Sequence, residues 1–459
     1  MKRIVSIDIG STYTKGALFA LAGGALSFLG GASTPTTVDC LPEGFNRMLE
    51  RLECQDDGCE IFCSSSAKGG LRVAAIGIVP ELTLETARLA ALSAGARVEH
   101  VYSYKLCADD IESLRKSSPD ILLFTGGTDG GAEKYNLHNA RMLADAKLEC
   151  SIVYAGNRAV SGRISDILKD SDFCAADNVL PELGRYSLES ARSQIRRIFM
   201  EKIVFGKGLD QVALRAGKAP LPTPYSLFEY LCSIHELHPE LGEFCLVDMG
   251  GATTDFYSCG GSALLAPGTV LKGLREPETK RTVEGDLGMR VSALAVQKSM
   301  VDFIRQRLET ARLSEDAFSL YIEKIDKMHE YLPQCEEEKG FEHILAQACC
   351  LGAARRHAGT REEVYTPQGK VFLQKGKDLS RARKIIGTGG YLARMNSFSL
   401  TEYIQRDKKE SGALSLLPEA AEYYLDAQYI FPLLANISQK YPKEAATAGL
   451  KAIHKFEIT

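Results

Sequence analysis

The chain lacks an excess of charge of one sign. Its 459 residues include 55 lysines and arginines and 59 aspartates and glutamates, which leaves a formal net charge of -4. Binding to nucleic acid or to an anionic membrane surface draws on an excess of positive charge, so we expect no nucleic acid and no membrane as a partner. The composition favours a small molecule or another protein instead.

The sequence also lacks cysteines paired at the C-x-x-C spacing. None of its 13 cysteines forms a C-x-x-C pair, and its histidines show no metal-ligand spacing. A reduced, cytoplasmic protein is therefore expected rather than a disulfide scaffold. The closest cysteines, Cys54, Cys59 and Cys63, are interpreted as ordinary thiols rather than ligands of a metal or cluster. Adjacent Cys349 and Cys350 are predicted to be small core residues.

Long apolar runs are scarce as well. The N-terminal stretch MKRIVSIDIG has a basic start but only a short apolar run, which Asp8 interrupts, so no signal peptide is expected. The uncharged stretch from Gly16 to Val38 is long enough to cross a bilayer. Its glycines, proline and threonines favour two strands joined at Gly23-Gly24 instead.

What the chain does contain is an alternation of strand-like and helix-like segments over more residues than one core supports. This pattern predicts an α/β protein with two lobes. We expect a first lobe over residues 1–240 with an α/β insertion, and a second lobe over 241–400 with a helical insertion at about 288–357. Residues 401–459 are predicted to form C-terminal helices that pack back on the first lobe, with a helical tail from Pro418 to Phe456.

One acidic turn occurs twice, as DIGSTYT from Asp8 and as DMGGATTD from Asp248. Each copy follows an apolar strand and has glycine where the chain must turn sharply. The N-H groups of such a turn, together with its hydroxyls, suit phosphate oxygens. A carboxylate at a strand end can hold Mg2+ through its water shell. Two such hairpins that face each other would hold a polyphosphate from both sides.

A third strand-turn unit, RKIIGTGGY from Arg383 to Tyr391, contains no acid. Its glycines would let the backbone lie flat against an adenine or a ribose. Together the three units resemble the two phosphate motifs and the adenosine motif of the sugar kinase, heat-shock chaperone and actin superfamily. The resemblance implies an α/β, two-lobed actin-like ATPase fold, with duplicated ribonuclease H-like domains that close on Mg-ATP and an inserted helical subdomain.

Five stretches make the resemblance closer. They are CSSSAKGGLR from Cys63, TGGTDGG from Thr125, VYAGN from Val153, TVEGDLG from Thr282, and the DMGGATTD turn. These are similar to the glutamate mutase L family, also called MutL or GlmL. The family accompanies adenosylcobalamin-dependent carbon-skeleton mutases, such as glutamate (methylaspartate) mutase, as accessory or reactivating ATPases. One departure is Lys68, where the family usually has a smaller residue.

The resemblance implies ATP and Mg2+ as ligands and such a mutase as the protein partner, and it leaves a homodimer open. The magnesium-binding and catalytic residues are predicted to be Asp8 and Asp248. Asp129, in TGGTDGG, is predicted either to orient an attacking water or to serve only its own turn. The predicted nucleotide-binding residues are Gly10, Ser11, Thr12, Thr14, Lys15, Gly250, Gly251, Ala252, Thr253, Thr254, Glu284, Gly387, Thr388, Gly389 and Gly390.

Four functions remain open on this pattern. The first is an ATP-driven reactivase that binds a cobalamin mutase and opens it so that a damaged cofactor can leave. The second is a small-molecule kinase of the same fold, for which Asp129 is the candidate base. The third is a filament-forming or scaffold protein that uses nucleotide as an assembly switch. The fourth is an iron-sulfur ATPase, which the scattered cysteines disfavour.

Overall fold

The computed structural model describes residues 1–37, 40–55, 58–66, 71–204, 208–261, 265, 267–367, 369–395, 398–411 and 415–455. Lys68, the departure noted above, lies outside these residues. The strands are β1 (Lys2–Ile9), β2 (Tyr13–Ala22), β3 (Ala25–Pro35), β4 (Cys59–Ser65), β5 (Arg72–Gly77), β6 (Arg97–Ser103), β7 (Ile121–Phe124), β8 (Ser151–Tyr154), β9 (Phe173–Ala175), β10 (Leu221–Pro222), β11 (Phe244–Met249), β12 (Thr254–Cys259), β13 (Thr269–Leu271), β14 (Thr279–Glu284), β15 (Thr360–Thr366), β16 (Gly369–Lys375), β17 (Lys384–Thr388), β18 (Glu422–Leu425) and β19 (His454–Lys455).

The helices alternate with these strands through most of the chain. They are α1 (Leu41–Arg51), α2 (Glu85–Ser93), α3 (Ala108–Ser117), α4 (Glu133–Ala146), α5 (Ser161–Ile167), α6 (Glu189–Phe199), α7 (Leu209–Ala216), α8 (Thr223–Leu237), α9 (Ala293–Ser299), α10 (Val301–Ala311), α11 (Glu315–Lys327), α12 (Glu336–His357), α13 (Leu400–Ser411), α14 (Phe431–Ser438) and α15 (Pro442–Ala452). None of the helices that the structure describes is both long and apolar enough to cross a bilayer.

The first sheet has the strand order β10-β4-β1-β2-β3. Strands β1, β2 and β3 form an antiparallel meander, while β4 runs parallel to β1 and β10 runs parallel to β4. The turn between β2 and β3 places Gly23 and Gly24 at φ values of 57° and 74°. Glycine adopts this conformation without steric cost. The prediction of two strands joined at Gly23-Gly24 is therefore confirmed.

The second sheet repeats the arrangement of the first. Its order is β14-β12-β11-β17-β18-β19. Strands β11, β12 and β14 are antiparallel, whereas β17 runs parallel to β11 and β18 runs parallel to β17. Numbered 1 to 5 along the chain, the five strands of the first sheet are β1, β2, β3, β4 and β10, and the matching strands of the second sheet are β11, β12, β14, β17 and β18. Both sets have the spatial order 3-2-1-4-5. This repeat confirms the predicted α/β, two-lobed actin-like ATPase fold with duplicated ribonuclease H-like domains.

A third sheet is inserted between β4 and β10. Its order is β6-β5-β7-β8-β9, and every neighbouring pair is parallel. All four residues of β7 are buried, as expected for a parallel strand that is covered on both faces. Because the strands are parallel, their carboxyl ends all lie at one edge of the inserted sheet.

Between β14 and β17 the second lobe contains α9, α10, α11 and α12. The helical insertion at about 288–357 stays a prediction. Within α12 most residues from Phe341 to Ala354 are buried, including Cys349 and Cys350, which confirms these two thiols as core residues. A small sheet with the order β13-β16-β15 lies beside this lobe in the fold. Its strand β13 lies between β12 and β14 in the chain, and β15 and β16 lie between α12 and β17.

The tail is only partly helical. Strand β18 pairs with β17, and β19 pairs with β18, so both complete the second sheet. The prediction of a helical tail from Pro418 to Phe456 is wrong at these two strands. The sequence of β18, Glu422-Tyr-Tyr-Leu425, is rich in aromatic residues that fit a strand packed beside a sheet neighbour.

The helix α14 returns the chain to the first lobe. The Ser6 hydroxyl donates a hydrogen bond to Leu433 O at 2.7 Å, and Asn436 Nδ2 donates to Ile7 O at 3.2 Å. A shared apolar core lies between the two sheets and is filled by α8 and α14. These buried helices fasten the lobes together. The domain limits 1–240, 241–400 and 401–459 stay a proposal.

Two helical glycines give a matched test of this packing. A Cβ added at Gly449 in α15 would lie 2.1 Å from the hydroxyl of Tyr230, which is fully buried and donates to Ala445 O. We predict that Gly449→Ala lowers the free energy of unfolding by about 1–3 kcal/mol, as overpacking does. Around Gly162 in α5 no atom lies within 4 Å of an added Cβ. Gly162→Ala is therefore expected to raise the free energy of unfolding by about 0.5–1 kcal/mol.

Thermal unfolding of the two variants beside the parent protein checks this pair. Opposite shifts of the midpoint are expected. A midpoint for Gly449→Ala equal to or above that of Gly162→Ala would contradict the packing described for α15 against α8.

Candidate functional site

The two acidic turns have the same backbone geometry. In the first, Gly10 N donates to Tyr13 O at 3.1 Å, and in the second, Gly250 N donates to Thr253 O at 2.9 Å. The strands on each side also pair in the same register. Asp8 lies opposite Lys15 in the first hairpin, and Asp248 lies opposite Asp255 in the second. The repeated sequence thus folds into two copies of one hairpin.

The two hairpins face each other across a cavity of about 510 Å³. A Cβ added at Gly251 would lie 3.3 Å from Thr12 Oγ1, so the two turns almost touch. The third turn joins them. Gly389 has a φ of 123°, and an added Cβ there would lie 2.3 Å from Met249 O. An added Cβ at Gly390 would lie 3.3 Å from Lys15 Nζ. Only glycine at position 389 allows the third turn to approach the backbone of the second hairpin this closely.

Most of the predicted site residues line this one cavity. Those that do so are Asp8, Gly10, Ser11, Thr12, Lys15, Asp248, Gly250, Gly251, Ala252, Thr253, Gly389 and Gly390. The structure therefore brings together residues from three segments that are far apart in the chain. The predicted residues that do not line it are Thr14, Thr254, Glu284, Gly387, Thr388 and Asp129.

The three threonines outside the cavity use their hydroxyls within the protein. Thr254 donates to Leu287 O at 2.7 Å, Thr388 donates to Asp426 at 2.9 Å, and Thr14 lies 3.1 Å from the Thr36 hydroxyl. Each threonine is next in the chain to a residue that lines the cavity. Because neighbouring side chains of a strand point to opposite faces, the threonine side chain points away from the cavity. These threonines hold the turns in place rather than face the cavity.

Two further predicted residues are engaged elsewhere. The Glu284 carboxylate accepts a hydrogen bond from Arg356 at 2.9 Å, and Asp286 binds the same guanidinium. Burial raises the pKa of Glu284, while the hydrogen bond from Arg356 lowers the pKa of Asp286. At Gly387, an added Cβ would lie 1.9 Å from the Tyr423 hydroxyl. That glycine is needed for close packing inside the second sheet.

Asp129 lies at the far edge of the inserted sheet. Gly95 and Arg97, at the amino end of β6, line the cavity, whereas Asp129 follows the carboxyl end of the parallel strand β7. Its carboxylate accepts hydrogen bonds from Arg158 N and Asn178 Nδ2, both at 2.9 Å. These bonds join its loop to the loops that follow β8 and β9. The structure does not bring Asp129 to the other site residues, and its part in water activation stays a prediction.

Asp8 is buried and held by three hydroxyl groups. Its Oδ1 atom accepts from Ser64 at 3.0 Å and from Thr223 at 2.6 Å, and its Oδ2 atom accepts from Tyr429 at 3.1 Å. The donors come from β4, from the start of α8 and from the segment before α14. A carboxylate fixed from three directions keeps one orientation toward the cavity.

The carboxylate of Asp248 has a different environment. Burial, together with the carboxylate of Asp255 on the paired strand, raises its pKa to about 7, while Lys15 opposes the shift. Asp255 itself binds the buried guanidinium of Arg281, whose Nε donates to it at 2.7 Å. Near neutral pH Asp248 therefore carries a proton for part of the time.

Arg281 also connects the second lobe to the insertion. Its Nη1 atom donates to Leu92 O at 2.6 Å and to Ala96 O at 3.1 Å, at the carboxyl end of α2. A cation is favourable at this end of a helix because the helix dipole is negative there. The second acidic turn is thus tied through Asp255 and Arg281 to the inserted domain.

Two residues of the C-terminal segment, Asp426 and Tyr429, were not predicted from the sequence. The Lys15 ammonium lies 3.2 Å from the centre of the Tyr429 ring. Burial lowers the pKa of Lys15, and the carboxylates of Asp8, Asp248 and Asp426 act against this shift. No local pattern marks Tyr429, because it follows a short strand in a segment without glycine and reaches the site only through tertiary folding.

The lining of the cavity fits Mg-ATP. Amides of two glycine turns, hydroxyls and the Lys15 ammonium suit phosphate oxygens, and Asp8 with Asp248 provides the one or two carboxylates on which Mg2+ usually depends. Beyond the third turn, one wall of the cavity is apolar and cationic. It is formed by Tyr391, Arg394 and Met395. In the part of the chain that the structure describes, no group of three or more histidine, cysteine or acidic side chains could hold a metal by itself.

Two cysteines near the first sheet, Cys54 and Cys63, are buried free thiols. Burial raises the pKa of Cys54 and of Cys63 to about 12. Thiols with such pKa values stay protonated near neutral pH, whereas metal binding requires the thiolate.

Comparisons with known proteins agree with the motifs. A family model described as MutL protein matches residues 4–452. Protein MutL of Clostridium tetanomorphum is 38% identical over 468 residues, which covers 99% of this chain and all of that protein. A solved glycerol dehydratase reactivase is 8% identical with a TM-score of 0.33 and covers 95% of this chain and 100% of its own. A diol dehydratase-reactivating factor is 8% identical with a TM-score of 0.32 and covers 98% and 99%.

The raised pKa of Asp248 predicts a pH-dependent stability in protein free of nucleotide and divalent cations. The folded state binds this proton more tightly than the unfolded state, in which the pKa is near 3.8. Ionised Asp248 therefore destabilises the fold progressively as the pH rises from about 4 to about 7. We expect Asp248→Asn to raise the unfolding midpoint relative to the parent protein more at pH 8 than at pH 5.

Asp286→Asn is the matched control, because the pKa of Asp286 is lowered by Arg356. Its carboxylate stabilises the fold at high pH and loses this effect as the pH falls. The control variant should be less stable than the parent at pH 8. Thermal unfolding at both pH values measures the two effects, and the same sign for both variants would contradict the assignment.

Proposed function

Because the chain belongs to the MutL family, we propose that it is a Mg-ATP-dependent accessory protein that reactivates an adenosylcobalamin-dependent carbon-skeleton mutase, such as glutamate (methylaspartate) mutase. One observation carries the nucleotide part of the proposal. Two copies of an acidic hairpin, one from each sheet, face the same cavity with Lys15 between them. The mutase as partner is supported by the family resemblance.

Each part of the cavity has a role in this proposal. The turns at residues 10–13 and 250–253 would bind phosphate oxygens through their N-H groups, with Lys15 as the nearby cation. Asp8 and Asp248 would hold Mg2+, and the Gly389-Gly390 turn would lie against the nucleoside. Bound Mg2+ supplies charge neutralisation on the transferred phosphoryl group.

The protein side chains prepare the site before nucleotide enters. The three hydrogen bonds to Asp8 fix its orientation, so little reorganisation is needed on binding. Asp248 holds a proton at its carboxylate for part of the time and must release it as the site gains positive charge.

The coupling to a partner would come from motion of the lobes. Each phosphate turn belongs to a different sheet, so a bound polyphosphate favours the arrangement in which both sheets contact it. Loss of the terminal phosphate removes part of this preference. A partner protein is then acted on only if it binds the two arrangements with different affinity. A kinase has less support here, because its candidate base, Asp129, does not line the cavity.

Single-turnover ATP hydrolysis with Mg2+ tests the nucleotide site. The parent protein should hydrolyse ATP slowly, and Asp8→Ala should lower the rate roughly 100-fold or more, because it removes a metal-binding carboxylate. Asp286→Asn is the control, since Asp286 is an acid of the second lobe that lies outside the cavity. Equal rates for the parent protein and Asp8→Ala would contradict the assignment of Asp8.

A second experiment tests the partner. A carbon-skeleton mutase inactivated by damaged cobalamin is mixed with the protein in the presence of ATP, ADP or no nucleotide. We expect the dissociation constant to differ between ATP and ADP by at least about fivefold, the lower end of ordinary allosteric coupling. Identical binding in all three conditions would contradict a nucleotide-driven reactivase.

A further inference from the structure

The short segment from Asp426 to Phe431 links the second sheet to a helix that packs on the first lobe. Asp426 accepts hydrogen bonds from Ile430 N at 2.8 Å and Phe431 N at 2.9 Å, which caps the start of α14. Its Oδ2 atom also accepts from the Thr388 hydroxyl in β17 at 2.9 Å. The segment is therefore fixed at both ends, in the second sheet and at the first lobe.

Tyr429 lies in the middle of this segment with a positive φ of 53°. This left-handed conformation is unfavourable for a residue with a large side chain. The surrounding structure nevertheless holds it, because Tyr429 N donates to Asp426 O at 3.2 Å in a tight turn. The strained backbone aims the side chain into the cavity, where Tyr429 is one of the lining residues.

The Tyr429 side chain makes two contacts with the site. Its hydroxyl donates to Asp8 Oδ2 at 3.1 Å, and its ring lies 3.2 Å from the Lys15 ammonium. The other hydroxyls on Asp8, from Ser64 and Thr223, bind Oδ1 instead. Tyr429 thus contacts both Asp8, through Oδ2, and Lys15, which lies opposite Asp8 in the first hairpin.

We propose that Tyr429 is a positioning residue of the nucleotide site, with its hydroxyl orienting Asp8 for the metal and its ring placing Lys15 for the phosphates. The inference rests on the proposed Mg-ATP function. It also gives the link between the lobes a role in binding, since Tyr429 reaches Asp8 from a segment that crosses between them. Two variants separate the contacts. Tyr429→Phe removes the hydroxyl and keeps the ring, whereas Tyr429→Leu removes both.

The test measures binding of ADP in EDTA and, separately, the Mg2+ concentration needed for half-maximal binding of ADP. Tyr429→Phe should leave the metal-free affinity within about twofold and raise the half-maximal Mg2+ concentration about tenfold, as loss of a partner to a metal ligand does. Tyr429→Leu should also weaken metal-free ADP about fivefold, because the cation-π contact with Lys15 is lost.

Tyr424→Phe is the matched control. Its hydroxyl donates to Glu422 at 2.8 Å, away from the cavity and in the strand just before the segment. This variant should bind ADP and Mg2+ as the parent protein does. Thermal unfolding of all three variants separates positioning from a general loss of structure, and Tyr429→Phe keeps the test valid if Tyr429→Leu fails to fold.

The outcomes distinguish this inference from the function on which it rests. A parent protein that binds no ADP overturns both. A parent that binds ADP, with Tyr429→Phe showing an unchanged Mg2+ requirement, overturns only the role of Tyr429. Parallel losses of metal-free and metal-dependent binding in Tyr429→Phe, together with a lower unfolding midpoint, would show a structural role instead.

Discussion

The Lys15 ammonium lies among the carboxylates of Asp8, Asp248 and Asp426, and the rest of the site depends on this arrangement. Two carboxylates that end two central strands disfavour each other's charge when they face one cavity. Lys15 offsets part of that repulsion because it lies opposite Asp8 in the same hairpin. The ring of Tyr429 beneath the ammonium limits where it can go. Lys15, held by Tyr429, therefore allows an acidic residue from each sheet to face the same partly dehydrated cavity.

The two hairpins share a backbone but differ in charge. The position opposite Asp8 is Lys15, whereas the position opposite Asp248 is Asp255. Asp255 needs its own cation, Arg281, and that cation is anchored on the insertion. One hairpin therefore brings a positive charge to the cavity, and the other brings an acid with a raised pKa. In the proposed function, this asymmetry would give a nucleotide two unlike contacts on a duplicated fold.

The hairpins could be predicted because their pattern is local. An apolar strand that ends in Asp8 or Asp248, followed by glycine and hydroxyl residues, specifies its turn within a few positions. At Gly389 the sequence predicted a glycine-rich turn, but it did not predict that this turn approaches Met249 closely. Strand β18 was not predicted, because its conformation depends on pairing with β17.

Tyr429 could not be predicted from the sequence for a related reason. It lies 421 positions from Asp8, and only the packing of α14 on β1 brings the two together. Asp129 shows the opposite case, since its glycine-rich loop looks like a site in sequence. The parallel order of the inserted sheet places that loop at the edge away from the cavity. Local chemistry indicates what a turn can bind, and topology decides which turns meet.

The central claim is that both hairpins bind one nucleotide. The most direct measurement is a crystal structure with Mg2+ and a non-hydrolysable ATP analogue. The account predicts phosphate oxygens in contact with the N-H groups of residues 10–13 and 250–253 at once, with Lys15 beside them. An analogue bound to one hairpin alone, or at the loop that contains Asp129, would contradict it.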